Sequence, residues 1–238
     1  MKILVLGGYG VFGGRLAELL SDIPEVDMLI CGRNIDRATQ FCGAFQGVAS
    51  VQPIQIDRSA LDQHMDRLDP DLVIDASGPF QQYGDDGYFV IETCLRFKIS
   101  YLDFADAAEF VFGVSQFDQA AKDAGIFILS GVSSFPVLTA AVLREISKTM
   151  EIETVQGGIA PSPYAGIGLN VMRAVLGYAG APVKLTRNGK RTTARGLTES
   201  KRYTITVPGL LPLKNIRFSL VDVPELQVLP PAFAEMTD

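Results

Sequence analysis

The chain has 238 residues, 47% of them hydrophobic and 20% charged, which excludes a disordered segment and provides for one large α/β core or two modest ones. A formal net charge of -6 excludes bulk electrostatic attraction to nucleic acid or to an anionic membrane. Three cysteines (Cys31, Cys42, Cys94) without CxxC spacing exclude a disulfide framework and indicate free thiols in a reducing compartment. No run approaches the roughly 18 apolar residues of a spanning helix. The run Ile3–Leu6 is too short for a signal peptide, so a cytoplasmic location is expected.

Short apolar runs alternate with helical patterns through the first half. The predicted strands are Lys2–Leu6, Asp27–Cys31, Val51–Ile56, Leu72–Asp75, Ser100–Leu102 and Ile126–Leu129. Such nearly continuous Val, Ile and Leu runs suit parallel strands covered on both faces. The predicted helices are Phe12–Leu20, with Phe12, Leu16, Leu19 and Leu20 on one stripe, Ile35–Phe45 after an Asn34 cap, and Ser59–Leu68 from a Ser59 cap. Asp86–Phe97, Ala107–Asp123 and Ser134–Met150 complete the set. Strand–helix alternation predicts an α/β fold, a Rossmann doubly wound parallel sheet, over residues 1–150.

The pattern changes near residue 150. Ile152–Ile159, Tyr203–Val207 and Phe218–Val223 read as strands, and Gly and Pro become frequent. Residues 151–238 are therefore expected to begin an incomplete α+β second domain, with no strong element from Pro224 to Asp238. Nine basic residues lie from Lys184 to Arg217 with one acid, Glu199, among them. That stretch reads either as a solvated face or as a surface for an anionic substrate.

The strongest motif is Gly7-Gly8-Tyr9-Gly10-Val11-Phe12-Gly13. Gly8, Gly10 and Gly13 match G-x-G-x-x-G, between a predicted strand and a predicted helix. Gly7, Gly10 and Gly13 also match G-x-x-G-x-x-G, and both spacings point to a dinucleotide. Gly8 permits the tight turn, Gly10 the approach of a pyrophosphate, and Gly13 close helix–strand packing. The anion then sits at the helix N-terminus, near Tyr9, Val11 and Phe12.

The end of the second strand selects the cofactor. Enzymes that use NAD usually place an acid there for the ribose 2′-OH. The run Cys31-Gly32-Arg33-Asn34 has none, and Arg33 suits a 2′-phosphate, so NADP is expected, with NAD the alternative. Arg33 also reads as a solvated loop residue or an adenine-stacking one. Asp57 is a candidate for the adenine amino group or a helix cap. Ser77, Gly78 and Pro79, after the fourth strand, are candidates to lie against the ribose and phosphates.

These stretches, with Asp71–Phe80, Tyr101–Asp103 and Ser130–Pro136, resemble the saccharopine dehydrogenase-like family in its NADP-binding domain, over roughly residues 1–150. The resemblance implies a Rossmann domain followed by a substrate and dimerisation domain, a homodimer, and NAD(P)-linked oxidoreductase chemistry on a small-molecule imine, carbonyl or enoyl group.

The proton donor is less legible. His64 lies away from the carboxyl edge of the sheet and reads as a surface residue. One histidine and scattered cysteines predict no metal site. No Tyr-x-x-x-Lys occurs, which argues against the short-chain dehydrogenase mechanism. Cys94 reads as packing. The catalytic candidates are Tyr83, which follows the Ser77 loop, and Asp103 and Asp106, which follow the fifth strand. Each carboxylate reads equally as a helix cap. Ser133 and Ser134 are caps or carboxamide contacts. A non-catalytic dinucleotide sensor is the reading from a different class.

Overall fold

The computed structural model describes residues 1–160, 172 and 175–233. The chain divides into two compact units, Met1–Ser134 and Phe135–Asp238. Of the expected second domain, residues 161–171, 173–174 and 234–238 lie outside the described residues.

The first unit is a six-stranded parallel sheet in the order β3-β2-β1-β4-β5-β6. Its strands are β1 (Lys2–Leu6), β2 (Asp27–Gly32), β3 (Ser50–Gln55), β4 (Leu72–Asp75), β5 (Ser100–Asp103) and β6 (Ile128–Leu129). The order reverses between β1 and β4, leaving a crevice at their carboxyl ends. Ile3, Val5, Met28, Ile30 and Ile74 are at most 3% exposed and form the centre of the core. This is the Rossmann fold that the alternation predicts. β3 departs from the continuous apolar pattern, alternating between exposed and half-buried residues, because it is an edge strand.

Helices α1 (Val11–Leu19), α2 (Ile35–Ala44), α3 (Met65–Leu68), α4 (Phe89–Phe97), α5 (Ala108–Gly113) and α6 (Asp118–Ala124) belong to this unit. α1 is rotated relative to the expected stripe. Its buried residues are Gly13, Gly14 and Ala17, while Phe12 is 60% and Leu19 67% exposed. Small residues let the helix backbone approach the sheet more closely than an apolar stripe of large ones would. Asn34 caps α2 as expected, its Oδ1 accepting from the Arg37 amide at 2.9 Å.

The helix expected from Ser59 is a 3₁₀ segment, Arg58–His64, running into the short α3. Asp57 rather than Ser59 caps it, because the Asp57 carboxylate accepts from both the Ser59 amide and its hydroxyl. Leu61, Met65 and Leu68 are nonetheless the buried residues. The predicted helix Ala107–Asp123 is interrupted by a 3₁₀ segment, Val114–Phe117, between α5 and α6. Ala121 lies on its buried side.

A π turn (Ser134–Leu138) begins at the last residue of the first unit and leads into α7 (Thr139–Ile146) of the second. Two antiparallel hairpins follow, β7 (Pro182–Arg187) with β8 (Lys190–Arg195), and β9 (Ser200–Ile205) with β10 (Leu213–Ser219). β7 and β8 are missed by the sequence reading, because only Val183, Leu185 and Ala194 on one face are buried and lysines, arginines and threonines interrupt the pattern. Ile152–Ile159 forms no strand, and the third expected strand is Leu213–Ser219 rather than Phe218–Val223.

The segment expected to lack structure after Pro224 holds helix α8 (Glu225–Ala232). Pro230 and Pro231 fall in its last turn, and the buried Leu229 and Phe233 pack with Leu143 and Ile152. Packing therefore outweighs the helix-breaking propensity of the prolines.

Glu225, 7% exposed, accepts from the Thr139 hydroxyl at 3.2 Å, while Oε2 has no partner among the described residues. Burial pushes its carboxyl up to about 7, from an ordinary 4.5. An acid raised in the folded state binds its proton more tightly there than when unfolded. Stability it contributes is complete below about pH 4.5 and is lost as pH rises to about 7. The second unit should lose about 1–3 kcal/mol across that window, and Glu225→Gln should flatten the slope. Urea midpoints at pH 4.5, 6 and 8 measure this; parallel slopes for the two proteins would refute it.

Candidate functional site

The crevice at the carboxyl ends of β1 and β4 collects most of the residues singled out in the sequence. The chain leaves β1 through Gly7, whose φ of 71° is open to glycine. The Gly10 amide donates to the Gly7 carbonyl at 2.8 Å, closing the turn, and the Gly14 amide donates to the Gly10 carbonyl at 2.8 Å, beginning α1. A Cβ on Gly7 would stand 2.7 Å from the Ala76 oxygen and the Ser77 Cα, so the β1 and β4 loops touch backbone to backbone. A Cβ on Gly13 would stand 2.5 Å from the Gly7 oxygen and 2.8 Å from the Gly8 Cα. The cap residue Gly10 has no side chain over the first turn of α1, and that turn carries no acidic residue. The arrangement is a helix N-terminus with its positive end open to an anion.

Tyr9 folds over the end of β2. Its ring occupies the space a side chain on Gly32 would need, its hydroxyl accepts from the Asn34 amide at 3.1 Å, and the Arg37 guanidinium lies 4.9 Å from its centroid. Gly32 is thus glycine for a steric reason, and an acid at that position has no room while Tyr9 holds this place. Arg33 is exposed, and its charge helps hold the Asp57 carboxyl below the usual range, after the larger effect of the Ser59 hydrogen bonds.

Around β4 a buried polar network organises the Ser77-Gly78-Pro79 loop. Asp75 is fully buried and pairs with Arg58, Nε to Oδ2 at 3.3 Å. Its Oδ1 accepts from the Ser77 amide at 2.9 Å and the Ser77 hydroxyl at 2.5 Å. Ser77 Oγ and the Tyr83 hydroxyl are 2.8 Å apart, and the Arg58 guanidinium lies 3.8 Å over the Tyr83 ring. Arg58 also donates to the Gly87 carbonyl at 2.5 Å. Phe80, Tyr83 and Phe110 pack as an aromatic cluster below the loop. Sequence reasoning passed over Arg58. The only signal for it was a basic residue beside a strand end, two residues beyond the predicted third strand.

Burial, then the Asp75 charge, raises the Tyr83 hydroxyl above its usual range. Tyr83 is therefore a neutral group whose hydroxyl faces Ser77 and Asp75. Asp103 is fully buried and clamps β5 to the loop after β6. Its Oδ1 accepts from the Ala105 amide, the Gly131 amide and the Ser130 hydroxyl, and its Oδ2 from Tyr101 at 2.9 Å. Burial pushes its carboxyl up to about 6 against the lowering effect of these donors. Asp106 is exposed and accepts from Gln81 at 2.9 Å. Ser133 lies in the turn after Gly131, its amide donating to the Gly131 carbonyl. His64 sits 3.3 Å from Arg67. Cys94 is buried, and burial raises its thiol.

Residues 3–129 match the family model described as the saccharopine dehydrogenase NADP binding domain. Among solved structures, the apo form of histidine-tagged saccharopine dehydrogenase (L-Glu forming) from Saccharomyces cerevisiae is similar with a TM-score of 0.66 and 15% identity. The match covers 99% of this chain and 53% of that one, so the chain spans about half the length of that protein. The WlbA (WbpB) dehydrogenase from Thermus thermophilus, solved with NAD and UDP-GlcNAcA, is similar over 64% of this chain and 48% of its own, at 14% identity and a TM-score of 0.45. No curated protein matches the chain.

Proposed function

The chain belongs to the saccharopine dehydrogenase NADP binding domain family, and from that premise we propose that it is an NADP(H)-dependent oxidoreductase acting on a small-molecule imine, carbonyl or enoyl group. The observation that carries the reading is the Gly7–Gly13 turn, packed backbone to backbone on Ser77 and opening the N-terminus of α1 to an anion. A bound nicotinamide would supply or accept the hydride. The chain's own residues do the rest. The amides of the first turn of α1, beside Val11 and Phe12, hold the pyrophosphate. Ser77, Gly78 and Pro79 present a nearly side-chain-free wall for the ribose. Arg33, with Asn34 beside it, meets the 2′-phosphate, and Tyr9 over Gly32 keeps out the acid that would favour the 2′-OH of NAD.

A second reading, a non-catalytic dinucleotide-binding partner, draws on a specific observation. Tyr83 and Asp103 are buried in hydrogen bonds to their own neighbours, and Asp106 is held by Gln81. In the enzyme reading the candidate proton donor is Tyr83, whose hydroxyl lies 2.8 Å from Ser77 Oγ.

Fluorescence titration with NADPH and NADH tests the cofactor assignment. NADPH should bind about 10- to 100-fold more tightly, and Arg33→Asp should remove most of that difference through charge repulsion with the 2′-phosphate. Equal affinities in the native chain would overturn the role of Arg33. Binding of neither nucleotide would overturn the whole reading. Turnover of NADPH with a panel of imines, carbonyls and enoyl compounds then separates enzyme from partner protein.

A further inference from the structure

The β9–β10 hairpin carries a surface that neither a dinucleotide nor a small substrate explains. Its turn is built from Val207-Pro208-Gly209-Leu210, with the Leu210 amide donating to the Val207 carbonyl at 3.0 Å. Pro208 presets one turn dihedral, and Gly209 takes the positive φ of 81° that the next position requires. Pro212 stiffens the exit. The tip therefore presents its side chains from a backbone with little freedom to fold them away. Those side chains are apolar: Val207 is 47%, Leu210 69%, Leu211 93% and Leu213 52% exposed. Scattered exposed leucines are ordinary, but four exposed apolar residues between Val207 and Leu213 form a patch.

Charge accompanies the patch. From Ser200 to Ser219 the hairpin holds Lys201, Arg202, Lys214 and Arg217 and no acid. The register sets Arg202 directly opposite Arg217 and Ser200 opposite Ser219, so one face carries two adjacent guanidiniums between hydroxyls. Like charges directly opposed across strands destabilise a hairpin unless an anion lies between them. Arg202 donates to the Asn215 carbonyl at 3.0 Å, but neither arginine is paired with a carboxylate among the described residues, and the nearby Glu199 is held by Arg187 at 2.6 Å. On the other face, Ile216 stands opposite Tyr203, and the Tyr203 and Phe218 rings are 5.8 Å apart.

We propose that this hairpin docks on an anionic phospholipid bilayer, with Leu210, Leu211 and Leu213 in the interface and the four bases at the headgroups. The spacing fits. Leu213 pairs with Ile205 and Arg217 with Arg202, three residues further along β9, about 10 Å in an extended strand. Interfacial segments bury their apolar side about 5–10 Å deep, which leaves the guanidiniums at phosphate level. A nucleic acid would satisfy the bases and leave the leucines in water. A second copy on a two-fold axis would cover the leucines but bring two hairpins of like charge together. The net charge of -6 does not oppose docking, because charges beyond about 8 Å are screened at physiological salt and the local sign governs.

Cosedimentation of the full chain with vesicles tests the proposal. Vesicles of phosphatidylcholine with about one-third phosphatidylserine should retain it, and phosphatidylcholine alone should not. The double variant Leu210→Ser/Leu211→Ser, at exposed positions where folding is undisturbed, should lose at least about tenfold in partition, and Lys214→Ser/Arg217→Ser should lose binding and its salt dependence together. Absence of binding to anionic vesicles would overturn the proposal, as would undiminished binding by the leucine variant. A chain that sediments as a dimer and becomes monomeric in the leucine variant would assign the tip to a second copy instead.

Discussion

Replacing Asp75 with alanine is expected to lower the stability of the first unit by about 3–5 kcal/mol, the cost of leaving one member of a buried ion pair alone. The pair is enclosed, since the side chain of Asp75 is 0% and that of Arg58 16% exposed. Removal of the carboxylate strands Arg58 above Tyr83, and it takes the acceptor from both the Ser77 amide and hydroxyl. Arg58→Met should cost a comparable amount by leaving Asp75 uncompensated. The combined variant Arg58→Met/Asp75→Ala should cost clearly less than the two single losses added, because the residual cost then falls on Ser77 and Tyr83 alone. Urea denaturation of the four proteins completes the cycle. Additive losses would show that the two side chains act independently and would remove the ion pair from the account. Because the same carboxylate fixes Ser77, nucleotide affinity should fall in every single variant that still folds.

The second large effect is at Gly13, where two physical terms have opposite signs. Helix propensity alone makes glycine to alanine favourable by about 1 kcal/mol. The added methyl would meet the Gly7 oxygen at 2.5 Å and the Gly8 Cα at 2.8 Å, and both are backbone atoms that no rotamer change can move. The helix must shift outward instead. Overpacking of this kind costs about 1–3 kcal/mol, so Gly13→Ala should destabilise. It should also weaken NADPH binding about 100-fold, since a displacement of about 1 Å in a rigid anion site has that order of effect. Gly43, in α2, is the control. A Cβ there meets nothing within 4 Å, so Gly43→Ala should stabilise by about 0.5–1 kcal/mol and leave binding alone. If Gly13→Ala were as benign as Gly43→Ala, the tight turn would not be what positions the anion site.

The parts of the site legible in sequence share one property, which is that they are local. The turn Gly7–Gly13 is decided by residues within one strand–turn–helix unit, and so is the Asn34 cap on α2. Asp57, legible only as either a cap or an adenine contact, caps a 3₁₀ segment in place of the expected Ser59. The pairing of Arg58 with Asp75 is different, because 17 residues separate them in sequence. Nothing in the local pattern of either residue announces the other. Asp103 likewise gathers donors from Ser130 and Gly131, 27 and 28 residues away. Sequence reading placed it at the carboxyl edge of the sheet but had no means to show both its oxygens engaged.

By itself, the sequence determined the six parallel strands of the first unit, their alternation with helices and the glycine turn, because hydrophobic period and glycine spacing are properties of short segments. Only the tertiary structure decided which face of α1 is buried, since close approach to the sheet selects Gly13, Gly14 and Ala17 over Phe12 and Leu19. It decided also that Tyr9 fills the place over Gly32, that Arg58 neutralises a buried Asp75, and that α8 forms despite Pro230 and Pro231. In each case the deciding energy is packing or desolvation between residues distant in the chain, which no local pattern encodes.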